Sequence, residues 1–364
     1  MFNKIYYPGE ALIKNEKGRV YFYDNLRFIL IFLVVQRHFL FRVNADYAII
    51  SGLYMVFLWF LMPLFVFTTG FYSKSIFTRE GEFRIGRIVN FVVLYLFLDQ
   101  LIYLSTWLSS YILGSKTPIY SNWNPFDMGG AEWYMWSCAV WFLMIPILRK
   151  TPAKIAIPAS IIIGVVSGYC NWVNSFFALV KILGFLPFFV VGYYLTTKHF
   201  DPLLRAKAKW RILSIIFLFI FAIIAVVFRN VFIATTKSML EVRVPFSMTW
   251  QSDSGIGPEI YWLLRLFHYA SIFIVSIAFV LIVPMRKTFI TSYGGRTLQI
   301  YIIHTAIVRL LKPLGYYNFL DTFPPYLRDF MLFLSAAVLC FLLSFKFLGL
   351  PFNFLAKKTD GLRL

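Results

Sequence analysis

Charge is scarce in this sequence, and acidic charge scarcest. There are 16 Asp and Glu against 35 Lys and Arg, and only 14% of the 364 residues are charged. Soluble domains carry roughly 25%. With 60% hydrophobic residues and a mean hydropathy of +0.73, a soluble fold of this length could not hide its apolar surface in one core. Cysteine is nearly absent. Cys138, Cys170 and Cys340 lie in apolar stretches without paired spacing, which excludes a disulfide framework and a cysteine metal site. There is no Gly-rich phosphate loop, no repeat period and no low-complexity tract. Strand alternation is missing, which argues against a transmembrane barrel. A removable signal peptide is not expected: the first apolar run follows about 25 more polar residues and reads as a retained span.

What is present is a series of long runs rich in Phe, Leu and Ile. They predict an all-α, polytopic membrane protein of about ten transmembrane helices, near 26–44, 50–73, 86–113, 132–149, 154–171, 174–197, 210–235, 259–284, 296–313 and 328–355. If the N-terminus is cytoplasmic, the inside segments hold 23 Lys and Arg and the outside loops 5. That asymmetry alternates loop by loop, so both termini are expected to be cytoplasmic. The formal charge of +19 then reports topology and contact with anionic membrane lipids; no nucleic-acid partner is implied. The expected organisation is a cytoplasmic segment 1–25, a membrane domain 26–355 and a cytoplasmic tail 356–364. Two outside loops, about 112–131 and 235–258, mix turn formers with aromatics. Those aromatics suit either membrane-interface anchoring or the faces of sugars.

The first span reads DNLRFILIFLVVQRHF over residues 24–39. Arg27 and His38 are eleven positions apart, about 1100° of helical rotation and within ~20° of three full turns. They share one face, about 16 Å apart along the axis. Asp24 lies close to the same stripe and Arg42 one turn beyond His38. Taken singly, each has a plain reading: Asp24 and Arg27 mark the interface, Arg42 snorkels, and His38 is a core histidine. Together on one face they point to a bundle interior or wet cavity with a functional role.

These residues carry a resemblance. Asp-x-Leu-Arg followed by ten residues and a His resembles the acyltransferase-3 family of integral membrane acyltransferases. YDNLRFILIFLVVQRHF is similar to its fucose 4-O-acetylase-related branch. MPLFVFTTGFYSK (62–74), FRIGR (83–87), EWYMWSCAVWFL (132–143), FLPFFVVGYYL (185–195) and GGRTLQIYIIHTAIV (294–308) continue the likeness in order. Gln36 and Arg37 depart from it, standing where the family usually has small or apolar residues. The resemblance implies transfer of an acyl group, usually acetyl from acetyl-CoA as co-substrate, to a hydroxyl of a cell-surface or extracytoplasmic carbohydrate.

A sugar hydroxyl becomes a good nucleophile once its proton is removed, and a neutral histidine is the usual base. His38 is the candidate, either as general base or as a transient acyl carrier. Glu132 or Asp99 would orient its other ring nitrogen, although Asp99 also suits a structural partnership. The donor's phosphates call for cations at the inner face. Arg27, Arg84 and Arg87 are there, and positive-inside charge alone is the bland reading of the last two. Arg37, Trp133 and Tyr134 are candidate donors to a developing oxyanion. Asp24 and His304 complete the expected substrate-contact set. Arg265 and His268 neighbour one another on the eighth span. No bound cofactor and no metal are expected. The chain ends about nine residues after the last expected span, so no appended periplasmic hydrolase-like domain is expected, and the protein must finish the transfer itself or hand acyl groups to a partner. Multi-pass location in a bacterial cytoplasmic membrane follows. The rival reading is a polytopic transporter without acyl chemistry, or a scaffold without turnover. A transporter would give no acetyl-CoA-dependent product.

Overall fold

In the computed structural model the described residues are 20–41, 48–78, 80–116, 123–170, 176–235, 237–242, 245–246 and 257–363. Among them the fold is helical, with two isolated β-bridges as the only sheet-like pairing. The principal helices are α1 (Tyr21–Leu40), α2 (Ala48–Ser73), α3 (Ile85–Ile112), α4 (Trp133–Leu143), α5 (Ala153–Val166), α6 (Leu179–Gly184) and α7 (Leu186–Tyr194). They continue as α8 (Ala208–Val227), α9 (Lys237–Glu241), α10 (Tyr261–Ile282), α11 (Thr297–Leu311), α12 (Pro325–Leu343) and α13 (Leu350–Thr359).

Five of the described helical stretches are long and apolar enough to cross a membrane: Ile49–Ile76, Ile85–Ile112, Ala208–Val227, Pro258–Ile282 and Pro325–Leu343. Several other expected spans are broken. The run 132–149 divides at Met144, with Pro146 opening the next helix. The run 174–197 divides at Phe185, ahead of Pro187. The run 210–235 divides at Phe228. The run 328–355 ends as a helix at Leu343, and Pro351 lies in the first turn of α13. Proline lacks an N–H and pre-sets φ for a first helical turn, so it starts helices in apolar stretches and ends those before it.

Packing explains which faces are apolar. α8 buries only Ser214 and Ala225 and exposes Ile and Phe around the rest of its surface. So large an exposed apolar surface suits lipid rather than water. α2 and α7 pack closely against each other, and glycine is the reason. A Cβ at Gly70 would overlap the Phe189 carbonyl, and one at Gly192 would overlap the Phe67 carbonyl. Small residues let backbones approach in this way where lipid supplies no hydrophobic drive.

α1 lies inside the bundle against α2, α11 and α12. Its start is fixed by Asn25, which is fully buried. Asn25 Nδ2 donates to the carbonyls of Pro284 (2.9 Å) and Arg286 (3.0 Å). Its Oδ1 accepts from Thr288 Oγ1 (3.0 Å) and Thr291 Oγ1 (2.7 Å). Both capacities of the amide are thus used on a segment some 260 residues away in sequence. Gly294 completes the junction, since a Cβ there would meet the Asp24 backbone. Replacing Asn25 with Leu strands these partners in a buried place, at a cost of about 1–3 kcal/mol per unsatisfied group. The expected outcome for Asn25→Leu is a clearly lower thermal unfolding midpoint in detergent, whereas an exposed substitution such as Phe289→Ser leaves it within a degree or two of the parent.

Candidate active site

Two chambers lie at the two ends of α1. The larger, about 790 Å³, is lined by Arg27 of α1, by Thr68, Thr69 and Tyr72 of α2, and by Arg87 and Asn90 of α3. Tyr134 of α4, Thr297 of α11, and Asn353, Lys357 and Asp360 at α13 close it. Its size is that of a small-molecule or cofactor site. The smaller, about 120 Å³, is lined by Arg37 and His38 of α1, Gly130 and Trp133 before and on α4, Lys181 of α6, Leu240 and Glu241 of α9, and Tyr301, Thr305 and Arg309 of α11. Tyr134 borders the larger chamber and Tyr301 the smaller, and their ring centroids are 5.4 Å apart. This tyrosine pair joins the two linings.

In the smaller chamber the His38 ring meets His304 edge-on, with centroids 5.0 Å apart. His304 is fully buried. Its Nδ1 lies 2.9 Å from the Ile300 carbonyl, which can only accept, so Nδ1 carries the proton. Nε2 is then an acceptor, and Thr305 Oγ1 lies 3.1 Å from it. His304 is therefore held in one tautomer and supports the His38 ring. The Arg37 guanidinium donates to the Tyr54 hydroxyl and to Glu241 Oε1, at 3.4 Å each. Tyr54 in turn donates to Glu241 Oε1 at 2.6 Å. Val242, directly after this carboxylate, is buried with φ +49°, a left-handed conformation that costs a β-branched residue of order 1–3 kcal/mol. Trp133 stacks on Phe185 at 5.4 Å, and Lys181 Nζ sits 5.2 Å from the Trp133 ring centroid.

In the larger chamber Arg27 lies over the Tyr72 ring, 4.1 Å from its centroid. Arg87 Nη1 donates to Ser75 Oγ at 2.6 Å. Tyr134 hydrogen-bonds Thr69, whose hydroxyl donates to the Phe65 carbonyl at 3.0 Å.

The sequence-predicted residues thus fall into three groups. His38, Arg37, Trp133 and His304 come together at the smaller chamber, with His304 directly behind His38. Arg27, Arg87 and Tyr134 come together at the larger. Asp24, Arg84, Glu132 and Asp99 line neither chamber. Arg84 precedes α3 and pairs at 3.8 Å with Asp360, a residue of the larger chamber's wall, so it stands behind the lining that Arg87 joins directly. Glu132 is buried at the start of α4, and its Oε1 accepts from the Gly130 N–H at 2.6 Å. It lies in the field of Lys181 and Arg309 rather than against His38. Asp99 accepts from Trp123 Nε1 (2.9 Å) and Gln100 Nε2 (3.3 Å), the structural partnership rather than the catalytic one. Arg265 and His268 are buried away from both chambers, Arg265 over Phe246 and His268 stacked on Trp59. Arg42 lies outside the described residues, as do parts of both long loops.

Lys181, Tyr301, Arg309, Glu241 and the α13 residues went unnoticed in the sequence. Lys181 had a signal, a lone ammonium in FFALVKILGF. Tyr301 sits one turn before His304. Glu241 and Lys357 had none, because only the fold brings α9 and α13 to the chambers.

A family model described as an acyltransferase domain, that of acyltransferase-3, matches residues 20–345. The chain belongs to the acyltransferase-3 family. No curated protein and no solved structure matches it. The matched region of this acyltransferase contains every helix of the smaller chamber and ends just after α12. α13, which walls the larger chamber, lies beyond it. Because Asp99 serves Trp123, Asp99→Asn is expected to keep acyl transfer within about threefold of the parent while lowering thermal stability by about 1 kcal/mol. Parallel activity and melting measurements on one preparation check this.

Proposed function

We propose that this acyltransferase moves an acetyl group from acetyl-CoA to a hydroxyl of an extracytoplasmic or cell-surface carbohydrate, across a bacterial cytoplasmic membrane. The observation that carries the reading is the pair of chambers at opposite ends of α1, one with Arg27 and Arg87, the other with His38. In this reading the protein has about ten spans and cytoplasmic termini, and the larger chamber opens to the cytoplasm. Arg27, Arg87 and Lys357 hold the donor's phosphates, with Arg free to bind two oxygens at once. The pantetheine arm follows α1 for the ~16 Å between Arg27 and His38 and brings the thioester past Tyr134 and Tyr301.

At the smaller chamber the acceptor hydroxyl gives its proton to a ring nitrogen of His38. Its oxygen attacks the thioester carbonyl carbon. The tetrahedral intermediate then collapses, the C–S bond breaks, and the coenzyme thiolate takes the proton back from His38. Arg37 and the tyrosine hydroxyls are the donors nearest to the developing oxyanion. Trp133 offers an aromatic face to the sugar. The likeness of the first span to the fucose 4-O-acetylase-related branch supports a sugar hydroxyl as acceptor.

The test uses purified full-length protein in nanodiscs. His38→Ala is expected to lower acetyl transfer by about 10²–10⁴-fold while acetyl-CoA affinity stays within a few-fold. Arg27→Ala is expected to weaken acetyl-CoA binding at least about tenfold. A His38→Ala protein with unchanged transfer overturns the proposal. So does an absence of any acetyl-CoA-dependent product from the parent, which is the behaviour of a transporter.

A further inference from the structure

The larger chamber changes character along its length. At one end it holds cations: Arg87 Nη1 reaches Ser75 just past the end of α2, Arg27 lies over Tyr72, and Lys357 lines the wall from α13. At the other end stands Tyr134 of the tyrosine pair, bonded to Thr69. Between these ends the polar groups on α2 and α3 are neutral, namely Thr68, Thr69 and Asn90. Thr69 lies one turn of α2 further in than Tyr72. Asn90 lies one turn of α3 further in than Arg87, on the same face. Three residues of helix make each step about 4.5 Å.

The hydrogens of this neutral belt can be followed one by one. Thr68 Oγ1 donates to the Phe65 carbonyl at 2.8 Å, and Thr69 Oγ1 donates to the same carbonyl at 3.0 Å. A hydroxyl has a single hydrogen, so Tyr134 is the donor to Thr69. All three hydroxyl hydrogens are therefore used within the protein. Asn90 is the exception to this closure. Its Oδ1 is shielded from water and meets no hydrogen-bond donor among the described residues. A sheltered acceptor without a donor costs stability until a ligand supplies an N–H or O–H. The same carboxamide carries two N–H groups, and its last torsion is soft enough to turn either atom to the chamber. The chemical complement of Asn90 is a group with both an N–H and a carbonyl, which is another amide.

We propose that Asn90 recognises the pantetheine arm of the donor, its Oδ1 accepting from an amide N–H of that arm. The proposal rests on the larger chamber being the donor side of the transfer. Pantetheine carries two amides between its phosphate end and its sulfur. The order phosphate, amide, thioester along the donor is the order Arg87, Asn90, Tyr134 along the chamber. Arg27, Arg87 and Lys357 hold the charged end, whatever nucleotide it bears, and Asn90 selects the arm.

The test measures binding without acyl transfer. Full-length protein in nanodiscs is titrated by calorimetry with coenzyme A and with adenosine 3′-phosphate 5′-diphosphate, the same molecule cut at the pyrophosphate so that the arm is gone. The parent is expected to bind coenzyme A more tightly than the nucleotide. Asn90→Leu, of nearly equal size, is expected to weaken coenzyme A about fivefold or more while nucleotide affinity stays within about twofold. Asn90→Gln, which keeps the carboxamide, is expected to stay within about threefold of the parent for both. Arg87→Gln is expected to weaken both ligands, because both carry the phosphates. Loss of both ligands by the same factor in Asn90→Leu, unchanged coenzyme A affinity in that variant, or a Gln variant as weak as the Leu one overturns the proposal. So does a parent that binds the nucleotide as tightly as coenzyme A. A parent that binds neither ligand overturns the donor-chamber reading itself, and this inference with it.

Discussion

Four hydrogen bonds from one buried amide set the height of α1. Asn25 is joined to the segment 284–291, which leads directly into α11, so α1 and α11 are registered against each other at one end. Eleven residues up from Arg27, that registration brings His38 against His304, and it places Tyr301 against Tyr134. A slip of α1 by one residue would rotate its stripe by about 100° and take Arg27 and His38 out of their chambers together. The polar stripe and the amide that holds it are one device. An amide is well chosen, because it has both donors and acceptors and carries no charge to desolvate.

The two chambers differ in what they ask of their walls. The larger is broad, has arginines and amides, and is finished by α13, whose place follows from the helix break after Leu343 and the proline that starts the next turn. The smaller is tight and dense with ionised groups from α1, α6, α9 and α11. Charges this far inside an apolar bundle persist only where partners or ligands answer them. Glu241 answers Arg37, and Glu132 lies in the field of Lys181 and Arg309. The aromatic excess of the sequence has a local meaning here as well. Trp133, Tyr134 and Tyr301 form a connected wall across α4 and α11, packed ring against ring.

Much of this was legible in the sequence where a polar group interrupts an apolar helix. His38, Arg27 and His304 stood out because desolvating them without purpose is expensive, and all three sit at or directly behind the chambers. Arg84 and Arg87 looked alike in sequence. The start of α3 at Ile85 separates them: Arg87 lines the larger chamber, and Arg84 stands behind its wall on Asp360. Asp99 and Glu132 were equally plausible partners for a histidine by depth, but depth says nothing of helix azimuth, and both turn to other groups. Span boundaries were blurred by prolines inside continuous apolar runs: hydropathy cannot register a broken ladder when both halves are greasy. The contributions of α9 and α13 depend on where loops return the chain, which no local pattern encodes.

The proposed transfer requires that the two chambers at the ends of α1 face opposite compartments. Single cysteines placed in a background with Cys138, Cys170 and Cys340 replaced by Ser or Ala test it directly, using a membrane-impermeant maleimide on intact cells and on inverted vesicles. The account predicts that Asn353→Cys is labelled only from the cytoplasmic side and is protected by acetyl-CoA, while Leu240→Cys is labelled only from the outer side. Labelling of both positions from the same side would contradict it.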